Sequence, residues 1–271
     1  FDLQAHGEFS IEIDPRKVNT TTIQLLGRLG FNRMSVGVQD FNPAVQQAVN
    51  RLQSFEETAR VIQDARNNGF SSISIDLIYG LPLQTAKSVQ ATIEQVLALR
   101  PDRLSFYNYA HLPERFMPQR RINSEDLPSP DTKLEILANS IRLLMDAGYV
   151  FIGMDHFALP DDELAVAQRR GRLHRNFQGY STHAECDLMA FGVSAIGKVG
   201  TSYCQNIKTL EDYYAVIDSG QLAIDRGLSL ERDDLLRRTV IQSLMCQFEV
   251  SFQPVEISYL IDFRQYFSAE L

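Results

Sequence analysis

Carboxylate and amide side chains interrupt several apolar runs of the sequence, and they are the first candidates for chemistry. Glu12 lies within IEI, and Asp76 lies within SIDLI. An unpaired carboxylate is costly in apolar surroundings, so each should meet a protein donor or the amine or hydroxyl group of a ligand. Gln39 and Asp40 follow another apolar run, where they either contact a ligand or satisfy the amides of a turn.

Other polar segments allow two readings each. Asp155 and His156 are adjacent, which suits a metal or acid–base pair, or else a structural histidine held by a hydrogen bond. The segment 173–180, LHRNFQGY, mixes a basic residue, amides and aromatic rings, and could stack on a flat ligand. Three arginines of one loop form either a solvated charge run or a carboxylate-binding lid: Arg115, Arg120 and Arg121.

A repeated pattern indicates the scaffold for these residues. An amphipathic helix, a Gly or Pro break and a strand rich in β-branched and aromatic residues recur along the chain. The predicted strands are 9–13, 32–38, 72–78, 103–108 and 150–154. Strands alternating with helices indicate βαβ units and a parallel sheet without hairpin returns. No G-x-G-x-x-G follows a strand, so a partial barrel with polar strand ends at one mouth fits better than a Rossmann fold.

The pattern stops after Asp155, which suggests further subdivisions of this α/β chain. The predicted parts are 1–160, part of the barrel, 161–200, a loop region completing the barrel side, and 201–271, a smaller and mostly helical subdomain. Residues 232–246 predict an amphipathic helix. Its apolar face comprises Leu235, Leu236, Val240, Ile241 and Leu244.

Composition limits the classes of partner. The 271 residues carry a net charge of −8, which argues against nucleic acid or an anionic membrane held by bulk electrostatics. A small anionic substrate bound by local arginines stays compatible with this charge. No apolar run approaches the roughly 18 residues that a membrane span needs. Cys186, Cys204 and Cys246 are widely spaced and form neither a disulfide framework nor a metal motif, which indicates a reducing cytoplasm.

Several blocks of the sequence resemble one known family. They are IEIDPR, NRMSVGVQDF, DLIYGLP, LSFYNYAHLP, GMDHFALPDDELA, HRNFQGYSTHAECDL and GVSAIG. In content and spacing they resemble the oxygen-independent coproporphyrinogen III oxidases, which are radical S-adenosylmethionine (SAM) enzymes. The resemblance implies a partial (β/α) barrel of radical SAM type with parallel strands, followed by a smaller, mostly α-helical C-terminal region. It also implies a 4Fe–4S cluster and two SAM molecules.

The resemblance implies roles for individual residues but names no catalytic residue. The implied SAM contacts are Glu12, Gln39, Arg51, Asp76, Ala110, Phe177, Gln178 and Ile196. Carboxylates suit a ribose or a methionyl amine, and an arginine suits the methionyl carboxylate. Because the substrate's propionates need cationic partners, four arginines are its candidate contacts: Arg115, Arg120, Arg121 and Arg175.

One departure from the family matters. Its cluster is held by a C-x₃-C-x₂-C motif that is absent here. We therefore expect no metal ligand in this chain, cluster cysteines upstream, and a fragment lacking both ends of the enzyme that is inactive alone. For the intact enzyme, the resemblance implies a 5′-deoxyadenosyl radical that converts two propionates of coproporphyrinogen III to vinyl groups, giving protoporphyrinogen IX for heme biosynthesis. It further implies a cytoplasmic monomer with an electron-donor protein, and no nucleic-acid or membrane partner.

Two alternatives to this function stay open. The first is a heme-binding chaperone of the same superfamily, which should lack the HRNFQGY and GMDHFALPDDELA blocks. The second is a generic barrel enzyme that uses Glu, Asp and His for acid–base or metal chemistry. That enzyme would act without iron or SAM, and it leaves the spacing of the matching blocks unexplained.

Overall fold

The computed structural model describes residues 3–4 and 7–271, which divide into two compact units. The N-terminal unit comprises Phe1–Ala165, and the C-terminal unit comprises Val166–Leu271. Among the helices of the described residues, none has the length and apolar character that a membrane crossing requires.

The N-terminal unit is built on a six-stranded sheet with helices between successive strands. Its strands are β1 (Ser10–Ile13), β2 (Arg33–Gln39), β3 (Ser72–Tyr79), β4 (Arg103–Asn108), β5 (Val150–Gly153) and β6 (His156–Ala158). Its α-helices are α1 (Thr20–Arg28), α2 (Pro43–Ala48), α3 (Phe55–Asn67), α4 (Ala86–Leu99) and α5 (Pro130–Asp146), and α6 (Glu163–Arg169) crosses into the second unit. Short 3₁₀ helices span Pro15–Lys17, Met117–Arg121 and Ser124–Asp126.

The sheet is mostly parallel, with strand order β1-β2-β3-β4-β6-β5. Strands β1 to β4 run parallel to one another, as the helix–strand repeat predicts. The expectation that no strand makes a hairpin return is wrong, because β6 pairs antiparallel with both β4 and β5. The tight turn is possible because Gly153 and Met154 both adopt positive φ, 143° and 51°, a conformation rare for a residue such as methionine.

Strand alternation gives the sheet two faces of different character. Ile73, Ile75 and Leu77 of β3 are buried in the main apolar cluster, whereas the intervening Asp76 points to the opposite face. Helices α1, α3, α4 and α5 complete the cluster with side chains such as Ile23, Val61, Ile93 and Leu144. Each fully buried aliphatic side chain contributes roughly 1.5–3 kcal/mol. The opposite face, here called the polar face, carries Glu12, Ser35, Asp76, Ser105 and His156.

Local sequence signals set the helix boundaries. A capping box begins α3, since Ser54 Oγ accepts from the Glu57 amide at 3.0 Å and Glu57 accepts from the Ser54 amide at 2.9 Å. Asn42 caps α2, and Pro43 occupies its first position without losing a needed N–H. These signals fix the connections that follow the parallel strands.

The C-terminal unit combines short antiparallel strands with helices. Its strands are β7 (His174–Asn176), β8 (Gly179–Ser181), β9 (Ile196–Val199), β10 (Ser202–Asn206) and β11 (Ile224–Ser229), and its helices are α7 (Leu210–Asp218), α8 (Arg232–Gln247), α9 (Phe252–Tyr259) and α10 (Phe263–Tyr266). Strands β7 and β8 form a hairpin, and β11-β10-β9 form a separate sheet. The predicted helix over 232–246 is confirmed as α8. Its predicted apolar face is only partly covered, since Leu236 is buried while Ile241 is 52% exposed.

Asp40 ties the end of β2 to the start of α4. Its Oδ1 accepts from the Asn42 amide at 2.6 Å and from Thr92 Oγ1 at 2.7 Å. Its Oδ2 accepts from Gln84 Nε2 at 2.6 Å, and Gln84 also bonds Ile78 O and the Leu81 amide. Burial raises the pKa of Asp40, and these hydrogen bonds oppose the rise. One buried carboxylate therefore joins the connections after β2 and β3.

We predict that Asp40→Asn lowers the free energy of unfolding by about 1–3 kcal/mol, because the new amide N–H₂ faces Gln84 Nε2, another donor. The matched control is Asp146→Asn, the same change at an exposed position, with an expected effect within about 0.5 kcal/mol. Both are measured by denaturant unfolding.

The pH dependence provides a second readout of the same pair of proteins. Because the folded-state pKa of Asp40 lies above its unfolded value, the wild type should lose stability as pH rises from the unfolded value to the folded one. The Asp40→Asn variant should lack this component, so the difference between the two curves should shrink as pH rises. A constant difference across that range would contradict the assignment.

Candidate functional site

A hydrogen-bonded row of polar side chains crosses the polar face at Asp76. Ser35 Oγ donates to Asp76 Oδ2 at 2.7 Å, and Ser105 bonds the same carboxylate from the other neighbouring strand. Burial raises the pKa of Asp76, while the two serines and the charge of His156 oppose the rise. The predicted need of this carboxylate for donors is thus met within the protein, at a half-buried position.

Glu12 differs from Asp76 in its surroundings. It lies on the edge strand β1 and is exposed, so the argument that its apolar neighbours make it costly is wrong. Strand alternation places Ile11 and Ile13 on the covered face and Glu12 on the polar face. The glutamate is therefore free of desolvation cost and open to a ligand.

Gln39 and Arg51 meet above Gly37, where a larger residue would interfere. A Cβ at Gly37 would stand 3.0 Å from Gln39 Nε2 and 3.1 Å from Arg51 Nη2. Arg51 Nη2 donates to Gly37 O at 2.7 Å. Gln39 Oε1 and Arg51 Nε are buried without a hydrogen-bond partner among the described residues. Unpaired buried polar atoms are costly, so this cradle has the character of a ligand site.

Charges around Arg51 leave it available to an anion. Burial lowers the pKa of Arg51 and Arg16 adds to this, while Asp14 and Glu12 act in the opposite direction. The contact with Asp14 is long, 3.6 Å. Asp14 is already held by Arg16, whose hydrogen bond lowers the Asp14 pKa to about 2. Arg51 therefore shares the Asp14 carboxylate with Arg16, which holds it more closely, and Glu12 lies near Arg51.

The sequence left two roles open for Gln39 and Asp40, which were contacting a ligand or satisfying the amides of a turn. The two side chains make different contacts. Asp40 satisfies a turn amide and buried side-chain donors, as described above. Gln39 adopts a positive φ of 70°, which is strained for a residue other than glycine. Its amide thereby lies over Gly37 rather than in the turn.

Asp155 and His156 form the expected contact. His156 Nδ1 lies 2.7 Å from Asp155 Oδ1, and the ring meets Tyr107 edge-on at 5.9 Å. No group of three His, Cys, Asp or Glu side chains suited to a metal occurs anywhere in 3–4 or 7–271. Asp155 thus orients the ring of His156 on the polar face.

The loop after β4 is folded and carries exposed arginines. Gln119 Nε2 donates to Ala110 O at 3.0 Å, and Gln119 Oε1 accepts from the Leu112 amide. His111 bonds Tyr109 through one ring nitrogen and Ser124 through the other. The three predicted arginines lie on this loop and are exposed: Arg115, Arg120 and Arg121. Their side chains are therefore accessible to a ligand from solvent.

The remaining predicted residues lie in the C-terminal unit. Arg175 stacks over the Tyr180 ring at 4.7 Å, and its Nη1 is buried without a partner among the residues described. Phe177 is 57% exposed and meets Tyr203 edge-on at 5.3 Å. Gln178 lies in the turn of the β7–β8 hairpin, where its backbone N–H donates to Asn176 Oδ1 at 2.8 Å. Ile196 is the first residue of β9.

Sequence reasoning missed two side chains of this site, Ser35 and Ser105, which bond Asp76 from both neighbouring strands. The available signal was their position in the strands, since a residue on either side of each serine belongs to the covered face. The cysteines behave as expected of unconnected thiols. Cys186 is exposed, Cys204 is half-buried, and burial raises the pKa of Cys246 to about 11.

Comparison with known proteins identifies the family. The sequence profile of the Radical SAM superfamily matches residues 3–96. The chain is 58% identical over 262 residues to the oxygen-independent coproporphyrinogen III oxidase of Pseudomonas aeruginosa and 52% identical over 271 residues to that of Escherichia coli. It spans 57% and 59% of those two proteins.

Two further comparisons extend this match. A solved structure of coproporphyrinogen III oxidase from Escherichia coli, described as a radical SAM enzyme, superposes with a TM-score of 0.96 over 99% of this chain and 62% of that one. The oxygen-independent coproporphyrinogen III oxidase of Thermostichus vulcanus is 45% identical, and the match covers all of this chain and 84% of that protein. The chain therefore belongs to the oxygen-independent coproporphyrinogen III oxidase family and has the radical SAM fold.

Proposed function

We propose that the complete natural polypeptide containing this chain decarboxylates two propionate side chains of coproporphyrinogen III oxidatively and without oxygen, giving the vinyl groups of protoporphyrinogen IX. The observation that carries the proposal is the match along the whole chain to relatives that bear this activity in their names. The orphaned polar atoms above Gly37 support it independently, because they call for a polar ligand beside the polar face.

The residues of the N-terminal unit fit SAM. In this proposal, Arg51 binds the methionyl carboxylate, Gln39 supplies an amide, and the carboxylates of Glu12 and Asp76 accept from an amine or from ribose hydroxyls. The small side chain of Ala110 leaves room for a flat base. When bound, SAM would supply the radical chemistry of the reaction, and these residues would orient the reactants and exclude water.

The C-terminal unit carries the other proposed SAM contacts, Phe177, Gln178 and Ile196. Phe177 offers an exposed ring face next to the hairpin turn at Gln178. A 4Fe–4S cluster belongs to the proposed activity, yet the described residues provide no three-ligand group for it. No role in holding the cluster is assigned to Cys186, Cys204 or Cys246.

The arginines are proposed to bind the substrate's propionates. Arg115, Arg120 and Arg121 are exposed on the loop that holds Ala110. Arg175 has a buried Nη1 without a described partner. A guanidinium matches a carboxylate in a bidentate geometry, so these side chains have the chemistry that the four propionates require.

The activity itself is tested anaerobically with the complete polypeptide, after iron and sulfide reconstitution, with SAM, a low-potential reductant and coproporphyrinogen III. Protoporphyrinogen IX with two CO₂ per substrate is the expected result. Tight heme binding without turnover would instead favour a carrier, and turnover without SAM would favour acid–base or metal chemistry.

We predict that Gly37→Ala weakens SAM binding by about tenfold or more, since the new Cβ forces the Gln39 and Arg51 side chains apart. Both obstructed atoms end flexible side chains, so the free energy of unfolding should change by less than about 1 kcal/mol. Equilibrium dialysis with labelled SAM and denaturant unfolding measure the two quantities. Unchanged SAM affinity would exclude this cradle as the SAM site.

We predict that Asp76→Asn weakens SAM binding about tenfold while leaving stability equal to or above that of wild type, because a buried charge is removed. Since the Asp76 pKa is raised, wild-type affinity should increase as pH rises through that pKa and the carboxylate ionises. The variant should lack this increase. Glu94→Gln on α4 is the control, and an identical pH profile in Asp76→Asn would refute a direct role.

We predict that replacing the candidate arginines singly by glutamine raises the Kd of coproporphyrin III roughly threefold to tenfold for those that bind propionates. The control is Arg60→Gln, an exposed arginine on α3. Fluorescence titration measures affinity, and unchanged affinity in all four variants would rule out this set of contacts.

A further inference from the structure

A cavity of about 550 Å³ lies entirely within the C-terminal unit. Helix α8, strand β7 and strand β9 contribute to its walls. Its charged or titratable lining residues are His174, Glu185, Asp187, Lys198 and Arg238. None of these has a proposed role so far, and none is among the proposed SAM contacts.

Two cations of this cavity lack counterions. Lys198 on β9 and Arg238 on α8 are both half-buried, and neither forms an ion pair with any residue that the structure describes. Arg238 instead lies over the Tyr203 ring, 5.9 Å from its centroid. Cations held away from water without a partner are costly, so this wall of the cavity favours an anionic group.

His174 lines the same cavity as Lys198 and Arg238. Its pKa is lowered by burial first, then by Arg238 and Lys198, with Glu185 acting in the opposite direction. The lowered pKa favours the neutral form of His174. In its neutral form it keeps one N–H with which to bond an anion.

The acidic lining residues are more exposed than the two cations. Glu185 and Asp187 are exposed, and Asp187 Oδ1 already accepts from the Gly200 amide at 2.8 Å. Exposed charges are screened by water and salt more than half-buried ones. The half-buried Lys198 and Arg238, with His174, therefore provide the favoured place for an anion in this cavity.

An adjoining cavity supplies a surface for the rest of the ligand. It has a volume of about 370 Å³ and shares His174 and Lys198 with the first. Phe177 and Tyr203 present aromatic rings there, and Arg175 adds another cation. An organic molecule with several aromatic rings and several carboxylates matches this combination of rings and separated positive charges.

We propose that Lys198 and Arg238, assisted by His174, bind a propionate carboxylate of the tetrapyrrole substrate. This inference rests on the proposed function and deepens it, because it adds a carboxylate site to that of Arg175. The geometry assigns the tetrapyrrole body to the ring of Tyr203, next to the Phe177 ring that is proposed to contact SAM. The two residues determine specificity for a carboxylated side chain.

The test is fluorescence titration of coproporphyrin III, the stable oxidised form of the substrate, against the complete polypeptide without cluster or SAM. We expect Arg238→Gln and Lys198→Gln each to raise the Kd about fivefold, with Arg238→Lys recovering part of the loss. The control is Arg237→Gln, the preceding residue of α8, which is exposed and absent from the cavity lining. Its Kd should equal that of wild type.

A second ligand shows whether the carboxylate charge of the porphyrin is what the two residues bind. The tetramethyl ester of coproporphyrin III lacks carboxylates, so wild type and both variants should bind it equally. The inference is overturned if the acid binds equally well to all proteins, or if the variants lose affinity for the ester to the same extent. Thermal unfolding of each variant identifies general misfolding, and Lys198→Gln provides an independent arm if Arg238→Gln does not fold.

The outcomes also separate this inference from the proposed function. Failure of wild type to convert coproporphyrinogen III refutes the proposed function, whatever the variants do. Normal wild-type turnover with unchanged KM in both variants refutes only the inference. Loss of SAM affinity in the variants, with porphyrin affinity intact, would show that the cavity binds SAM and would likewise overturn it.

Discussion

The alternation of side chains along β2, β3 and β4 is the constraint on which the rest of the N-terminal unit depends. One set of positions, such as Val36, Ile75 and Leu104, is fully buried under the helices. The other set, with Ser35, Asp76 and Ser105, forms a hydrogen-bonded polar row. A slip of one residue in register would bury the polar row and expose the aliphatic side chains. Because the core thus fixes the register, it also fixes the geometry of the row around Asp76.

The connections after these strands must be held rigidly wherever they carry polar groups without a hydrogen-bond partner. Asp40 has its buried oxygens filled by Asn42, Gln84 and Thr92. The neighbouring Gln39 leaves Oε1 unpaired and adopts a positive φ. The hydrogen bonds of Asp40 therefore hold the backbone next to Gln39, whose φ is strained and whose side-chain oxygen is unpaired. Such a division fits a ligand site, in which strain is tolerated only where the surroundings hold it.

The sequence was informative wherever the controlling interaction is local. The helix–strand periodicity predicted β1 to β4, and the apolar spacing over 232–246 predicted α8. The sequence-based prediction failed at the β5–β6 hairpin. That turn depends on a positive φ at Met154, and a methionine does not signal such a conformation. The serine partners of Asp76 and the cavity around Arg238 depend on strand register and on contacts between distant segments. No short-range pattern encodes those contacts.

Charge distribution explains how an acidic chain can suit a polyanionic ligand. The chain carries 26 basic and 34 acidic residues, so its overall field repels a carboxylated molecule. Several acidic side chains are already committed to specific donors, as Asp14 is to Arg16 and Asp187 to Gly200. Lys198 and Arg238, by contrast, are half-buried and form no ion pair among the described residues, and Arg51 has only a long contact with Asp14, at 3.6 Å. At physiological salt the field of distant charges is screened beyond about 8 Å. Local uncompensated cations therefore decide binding, and net charge mainly disfavours large nonspecific polyanions.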